Sequence, residues 1–127
     1  MSQERRDFPR IEEEMSAELL DASDGVFPAL ILDISLTGAQ LLCDKPTATH
    51  FAPDGNPETD GGEPREIGVR LRVPLGDGGR AKIRAFGQLM AVREVGDDEF
   101  RFGIKFTRFE GDSYTALEAY IDETLPD

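Results

Sequence analysis

The sequence predicts an all-β fold, a small antiparallel barrel of six strands with one α-helix at its C-terminal end. Two observations lead to this fold class. Short stretches in which apolar and polar residues alternate recur at close intervals, with turn-forming Gly, Pro, Asp and Ser between them. The last apolar residues instead follow helical spacing, which indicates a helix that packs one apolar face against the strands.

The first half of the chain is expected to hold three strands, over residues 15–20, 26–33 and 39–42. Met15, Ala17 and Leu19 alternate with polar residues, which is the pattern of a half-buried strand. Turn-forming residues at 21–25 end this strand, and a short break at 35–38 separates the second strand from the third.

The second half is expected to hold three more strands and the helix, over residues 67–73, 83–91, 100–106 and 112–125. The strongest alternation is in the last strand, where the apolar residues from Phe100 to Phe106 share one face. Gly87 interrupts the strand before it and indicates a bulge or bend. Asp112 or Ser113 is expected to cap the helix.

The whole chain, residues 1–127, is expected to form a single domain. Residues 1–14 are polar and are expected to form an extended or mobile arm, because Pro9 discourages a helix there. Residues 44–66 are rich in Pro, Gly, Asp and Thr, which predicts a long flexible loop.

Composition argues against several classes of protein. The net charge of −12, from 14 basic against 26 acidic residues, opposes the binding of nucleic-acid polymers. The sequence has no apolar stretch of membrane-spanning length and no secretory signal, so we expect a cytoplasmic protein without membrane insertion. One cysteine, Cys43, and one histidine, His50, give no basis for a metal site or acid–base catalysis, so we expect no cofactor and no enzyme.

Two short motifs carry the functional signal. The first has two arginines separated by three residues, Arg6 and Arg10, with Arg5 directly before them. The second follows some twenty residues later, between two predicted strands, with the spacing D-x-S-x-x-G: Asp33, Ser35 and Gly38. In this order the two motifs resemble the signature of PilZ domains, and residues 103–106 also look like the last strand of that family.

The resemblance implies a six-stranded antiparallel PilZ-type β-barrel with a C-terminal α-helix. It also implies a ligand, the bacterial second messenger cyclic di-GMP, which carries two phosphodiester charges and two guanines. The planar guanidinium groups of Arg6 and Arg10 can bind phosphate or the guanine O6/N7 edge in bidentate fashion. Arg5 is a third basic candidate.

The second motif offers groups of a different kind. Asp33 has acceptor oxygens for the N1–H and N2–H₂ donors of guanine, and Ser35 can bridge to base or phosphate through its hydroxyl and its backbone N–H. Gly38 lets a flat base approach, because it has no Cβ. The same residues also fit a plain turn between strands, with Asp33 capping backbone groups and Gly38 at positive φ.

The resemblance therefore implies a cyclic di-GMP sensor. Ligand binding would order the N-terminal arm and so change the surface that an unidentified effector protein contacts. The alternative is a PilZ-like adaptor that binds no nucleotide and works only through protein contacts.

Overall fold

The computed structural model describes residues 11–124 and shows a closed antiparallel barrel. The elements of this part of the chain are β1 Met15–Leu20, β2 Val26–Ile34, β3 Gly38–Cys43, α1 Lys45–Phe51, β4 Glu66–Pro74, β5 Arg80–Gly96, β6 Glu99–Phe109 and α2 Ser113–Thr124. Around the barrel the strand order is β1-β2-β3-β6-β5-β4, and pairing of β4 with β1 closes the sheet. The predicted six-stranded barrel with a C-terminal helix is confirmed.

Apolar residues fill the inside of the barrel, because successive side chains of a strand point to opposite faces. In β4, for example, Val69, Leu71 and Val73 are buried. Arg70 and Arg72 alternate with them and lie on the outer face. A small barrel filled in this way has no room for a ligand inside, so binding surfaces have to be sought on its outside.

Gly87 lies at an irregularity of β5. The pairing of β5 with β6 shifts register between Phe86 and Gly87, so the predicted bulge is present. A Cβ at position 87 would lie only 2.2 Å from the carbonyl oxygen of Lys105. Glycine is therefore what lets β5 and β6 approach each other at this bulge.

The C-terminal helix α2 packs against β5 and β4. The apolar side chains that it buries are Leu117, Tyr120 and Ile121. Near its start, the Ser113 hydroxyl accepts a hydrogen bond from the Arg84 N–H at 2.8 Å. Near its end, the Glu123 carboxylate accepts one from the Gly76 N–H at 2.9 Å. The barrel therefore holds this helix at both ends.

The start of the predicted loop 44–66 is a helix. Helix α1, Lys45–Phe51, begins after Asp44, whose carboxylate accepts a hydrogen bond from the Thr47 N–H at 2.9 Å. Pro46 stands in the first turn, where a helix does not use the N–H that proline lacks. The loop prediction is wrong for these residues because it treated proline as a helix breaker irrespective of its place.

The end of the predicted N-terminal arm belongs to the barrel. Ile11 is 3% exposed and forms a bridge with Ile34, in which the two residues exchange N–H to O hydrogen bonds of 2.8 and 3.0 Å. The Tyr120 hydroxyl donates to the Glu13 carboxylate at 2.9 Å. The prediction of a mobile arm is therefore wrong at Ile11, because this apolar side chain docks in the core. Residues 1–10 and 125–127 lie outside the described residues.

Candidate functional site

Asp33, Ser35 and Gly38 lie where β2 turns into β3. The backbone N–H of Ser35 donates to the Gly38 carbonyl at 2.9 Å. The Ser35 hydroxyl oxygen accepts the N–H of Thr37 at 3.1 Å and lies 3.0 Å from the Thr37 hydroxyl. Ser35 itself is only 3% exposed. The hydrogen bonds of Ser35 thus stay inside the turn, and its backbone N–H already has an acceptor. Thr37 is the hydroxyl residue of this turn that is exposed.

Gly38 is required by the close approach of a neighbouring strand. A Cβ at this position would lie 2.2 Å from the carbonyl oxygen of Ile104 in β6. The φ angle of Gly38 is not in the positive region. The interpretation of Gly38 as a turn residue at positive φ is therefore wrong, and the contact between β3 and β6 explains the glycine instead.

A shallow groove of about 470 Å³ runs across the outer surface beside this turn. All three residues of the second motif line it. The rest of its lining comes from the turn and from β3, β5 and β6, and consists of Thr37, Ala39, Gln40, Met90, Ala91, Gly103, Ile104 and Lys105. Small-molecule sites occupy roughly 300–1,000 Å³, so the second motif borders a surface depression of ligand size.

The floor of the groove is flat at Gly103. In the ladders, Gly103 of β6 lies opposite Gln40 of β3 on one side and opposite Ala91 of β5 on the other. A Cβ at position 103 would already be 3.5 Å from the Ala91 methyl group. A planar ring can approach the backbone of Gly103 because this residue itself carries no side chain. The sequence alone did not reveal this role, since it depends on the alignment of three strands.

Lys105 and Met90 are further groove residues that the sequence analysis missed. Lys105 is exposed and lies directly opposite Gly38 in the ladder, so it adds a cation next to the second motif. Met90 is 54% exposed and offers apolar surface at the other side of the groove. The signal for Lys105 was its outward position in the alternation of the last strand.

Ile11, the first residue that the structure describes, lies beside the second motif. Ile11 pairs with Ile34, which lies in the chain between Asp33 and Ser35. The residue that follows the first motif is thus held directly next to the second motif. The residues of the first motif lie outside the described residues, so their contacts remain predictions: Arg5, Arg6 and Arg10.

The surroundings of Cys43 and His50 indicate structural roles for these two residues. Cys43 is buried, and desolvation together with the charge of Asp44 raises the pKa of its thiol to about 12, so it stays protonated at neutral pH. The His50 ring pairs with the Asp21 carboxylate at 2.7 Å and stacks on Phe27. Within residues 11–124 no group of His, Cys, Asp and Glu could hold a metal ion, and no helix could span a membrane.

Comparison with known families identifies the class of protein. The model of the PilZ domain matches residues 4–123, a range that includes both motifs. The chain therefore belongs to the PilZ domain family. No curated protein matches it.

Two solved structures have the same fold. The inhibitor of motility MotI/DgrA of Bacillus subtilis matches with a TM-score of 0.65 and 13% identity, over 95% of this chain and 52% of the other. This chain thus spans about half the length of that protein. The PilZ domain of YcgR from Escherichia coli, solved with c-di-GMP, matches with a TM-score of 0.56 and 17% identity, over 94% of this chain and 91% of the other.

Proposed function

We propose that this chain is a bacterial, cytoplasmic receptor for cyclic di-GMP, without catalytic activity, that signals through contacts with another protein. The observation that carries the proposal is the bridge between Ile11 and Ile34, because it holds the end of the first motif next to the second. Membership of the PilZ family and the presence of c-di-GMP in the YcgR structure support this choice of ligand.

Covalent geometry allows the arginines to reach the groove. Consecutive Cα atoms are about 3.8 Å apart, so Arg10 starts one residue away from the bridge at Ile11. Arg6 lies four residues earlier, which adds at most about 14 Å of extended chain. Four neighbouring strands span a similar width, about 14 Å at 4.8 Å for each step. Both guanidinium groups can therefore lie over the same ligand.

The groove offers a complementary group for each part of the ligand. Asp33 provides acceptors for the N1–H and N2–H₂ of one guanine, and the flat floor at Gly103 receives a base. Lys105 and the two arginines provide positive charge for the phosphodiesters. The net charge of −12 repels an anionic ligand at long range, so these local contacts have to supply the affinity.

The response to ligand is proposed to be an ordering of the segment before Ile11. Residues 11–14 are tied to the barrel through the bridge of Ile11 and the hydrogen bond between Glu13 and Tyr120. A conformational change driven by Arg6 and Arg10 would therefore be confined to residues 1–10. The ligand and residues 1–10 would then form one continuous surface over the groove, and a partner protein would bind to it.

One observation favours the alternative of an adaptor that binds no nucleotide. Ser35 closes the β2–β3 turn and Gly38 accommodates the Ile104 carbonyl, so both residues have structural roles that need no ligand. A barrel could retain them after losing its ligand. Asp33 and the arginines therefore distinguish the receptor from the adaptor.

Isothermal titration calorimetry with cyclic di-GMP tests the proposal, with GTP and linear pGpG as comparison ligands. Saturable binding is expected for the cyclic ligand. Hydrogen bonds to charged groups contribute about 1.5–3 kcal/mol, so Arg10→Ala and Asp33→Asn should each weaken binding by about 10- to 150-fold. Asp97→Asn, in the exposed β5–β6 turn, is the matched control for Asp33→Asn and should bind like the parent.

Two results would overturn the receptor proposal. Folded protein that gives no heat and no thermal stabilisation with cyclic di-GMP would favour the adaptor. Equal loss of affinity in Asp33→Asn and Asp97→Asn would show that the ligand responds to overall charge, and the groove would not be its site.

A further inference from the structure

Six basic residues lie together on the outer face of β4, β5 and β6, and we call this group the basic belt. Its members are Arg70, Arg72, Arg80, Lys82, Arg84 and Arg108. The whole chain has 14 basic and 26 acidic residues, so nearly half of its cations lie in this one region. Such clustering on an acidic protein needs a physical reason.

Strand register places the belt residues beside one another. In the ladder between β4 and β5, Arg72 lies opposite Lys82 and Arg70 lies opposite Arg84. Leu71, between the two arginines of β4, is buried, so their side chains share the outer face. Like charges on directly opposite residues are destabilising, so folding alone does not account for this arrangement.

Part of the belt charge is compensated. The Arg70 guanidinium contacts the Glu18 carboxylate at 2.7 and 2.8 Å, and Arg84 lies 3.6 Å from Glu110. Arg108 lies over the ring of Phe86, at 3.9 Å from its centre. Besides Arg108, the belt residues that make no ion pair within residues 11–124 are Arg72, Arg80 and Lys82.

Arg72, Arg80 and Lys82 line a depression of about 690 Å³ between β1, β4 and β5, together with the ion pair of Arg70 and Glu18. It is larger than the groove of about 470 Å³ beside the β2–β3 turn. It contains neither Asp33 nor any other residue of the second motif. The two depressions share β5 but use different parts of it, around Lys82 in one case and around Met90 in the other.

We propose that the basic belt docks an acidic segment of a partner protein. The belt would give the partner protein a second contact, in addition to the surface over the groove, so this inference rests on the protein-contact part of the proposed function, whereas ligand binding is measured separately. Arg80, Lys82 and Arg84 form a row about 13 Å long, because each residue of a strand advances the chain by about 3.3 Å. Spaced charges of this kind match several carboxylates along a peptide better than one compact anion.

The surroundings of the belt favour a short acidic segment over an extended polyanion. Glu110 and Asp112, in the turn between β6 and α2, lie beside Lys82 and Arg84 around an adjoining depression. A nucleic-acid duplex or an anionic membrane would extend past the belt onto such acidic surface and be repelled. A short peptide can confine its charges to the belt.

Fluorescence anisotropy with a labelled peptide of alternating glutamate and serine tests this surface. The double variant Arg72→Ser with Lys82→Ser removes two uncompensated cations and relieves a like-charge pair, so it should remain folded. Its affinity for the peptide should fall by about 3- to 30-fold. The matched control removes the same charge elsewhere, by Lys45→Ser with Arg93→Ser, and should bind the peptide like the parent.

Carbodiimide cross-linking to the same peptide locates the contact. The chain has three lysines, which lie on three different surfaces: Lys45 in α1, Lys82 in the belt and Lys105 in the groove. Mass spectrometry should find peptide carboxylates joined to Lys82. Cross-links mainly to Lys45 or Lys105 would overturn the proposal.

Further outcomes would also contradict the inference. Absence of peptide binding, or equal weakening in the belt variant and its control, would remove the belt as a docking surface. If duplex DNA or phosphatidylglycerol vesicles bound more tightly than the peptide, the belt would be a binding surface for phosphate groups instead. If the protein self-associated and the belt variant did not, the partner at the belt would be a second copy of the chain. Calorimetry of the belt variant with cyclic di-GMP separates these results from a failure of ligand binding, since that affinity should not change.

Discussion

At the scale of single residues, the second motif is recognisable in the sequence, but the structural reason for one of its residues is not. Asp33, Ser35 and Gly38 line one groove, and their contacts with a ligand stay a prediction. Glycine is required at position 38, however, because the carbonyl group of Ile104, a residue distant in sequence, occupies the space that a Cβ would need. No local pattern around position 38 could reveal that contact, and the same holds for the floor at Gly103.

Substitution of Gly38 by alanine should destabilise the fold. The added Cβ would meet a backbone carbonyl oxygen at 2.2 Å, and the paired strands β3 and β6 have to separate to relieve the contact. Forcing an extra methyl group into a packed site costs about 1–3 kcal/mol. Denaturant-induced unfolding followed by circular dichroism measures this loss.

Gly61→Ala is the control for this substitution. Its nearest neighbour would be the Thr59 hydroxyl at 3.9 Å, and its φ is not positive, so we expect a change within about 0.5 kcal/mol. If Gly38→Ala were as stable as Gly61→Ala, the close approach of β6 would not be the reason for glycine at position 38.

At the scale of elements, the sequence predicts the strands well and the helix α1 not at all. Strand periodicity is a local property, so alternation in β4 and β6 is readable directly from the residues. Helix α1 is short and depends on its cap at Asp44 and on tertiary contacts. Its His50 ring stacks on Phe27 of β2 and pairs with Asp21 in the turn between β1 and β2. Composition averaged over residues 44–66 concealed these contacts.

Hydrogen bonds within that turn and from α1 should make stability depend on pH through Asp21. Hydrogen bonds from the Gly25 N–H, from His50 and from the Ser23 N–H lower the pKa of Asp21 below its ordinary value of 3.8. The ionised carboxylate is therefore stabilised in the folded protein. Its contribution is complete above the unfolded pKa and is lost as the pH falls through the lower folded pKa.

Asp21→Asn should accordingly unfold at a lower temperature than the parent at neutral pH. The difference between the two should shrink as the pH falls below about 4. Thermal unfolding over a series of pH values measures this, with Asp60→Asn in an exposed turn as the control. A difference that stays constant down to strongly acidic pH would show that the charge of Asp21 has no part in the stability.

At the scale of the whole molecule, the barrel explains how residues far apart in sequence come to line one groove. Closure of the sheet fixes β2, β3, β6 and β5 side by side, and the groove crosses all four of these strands. The sequence predicts this architecture from strand number and from resemblance to the PilZ family. It cannot predict the groove or the basic belt, because both depend on which outward residues the register brings together.

The distribution of charge follows from the same register. The belt on β4, β5 and β6 and the groove beside the β2–β3 turn are separate surfaces on one barrel. A ligand in the groove and a partner on the belt could therefore be bound at once, each with its own specificity. This separation makes the location of the ligand the central claim of the account.

A titration of isotope-labelled protein with cyclic di-GMP, followed by backbone amide NMR spectra, tests that location most directly. The largest chemical-shift changes are expected at residues 33–40 and 103–105, with new or strongly shifted signals from residues 5–10. Belt residues of β4 and β5 from 70 to 84 should shift little. No change at high ligand concentration, or changes concentrated in the belt, would contradict the assignment of the groove as the ligand site.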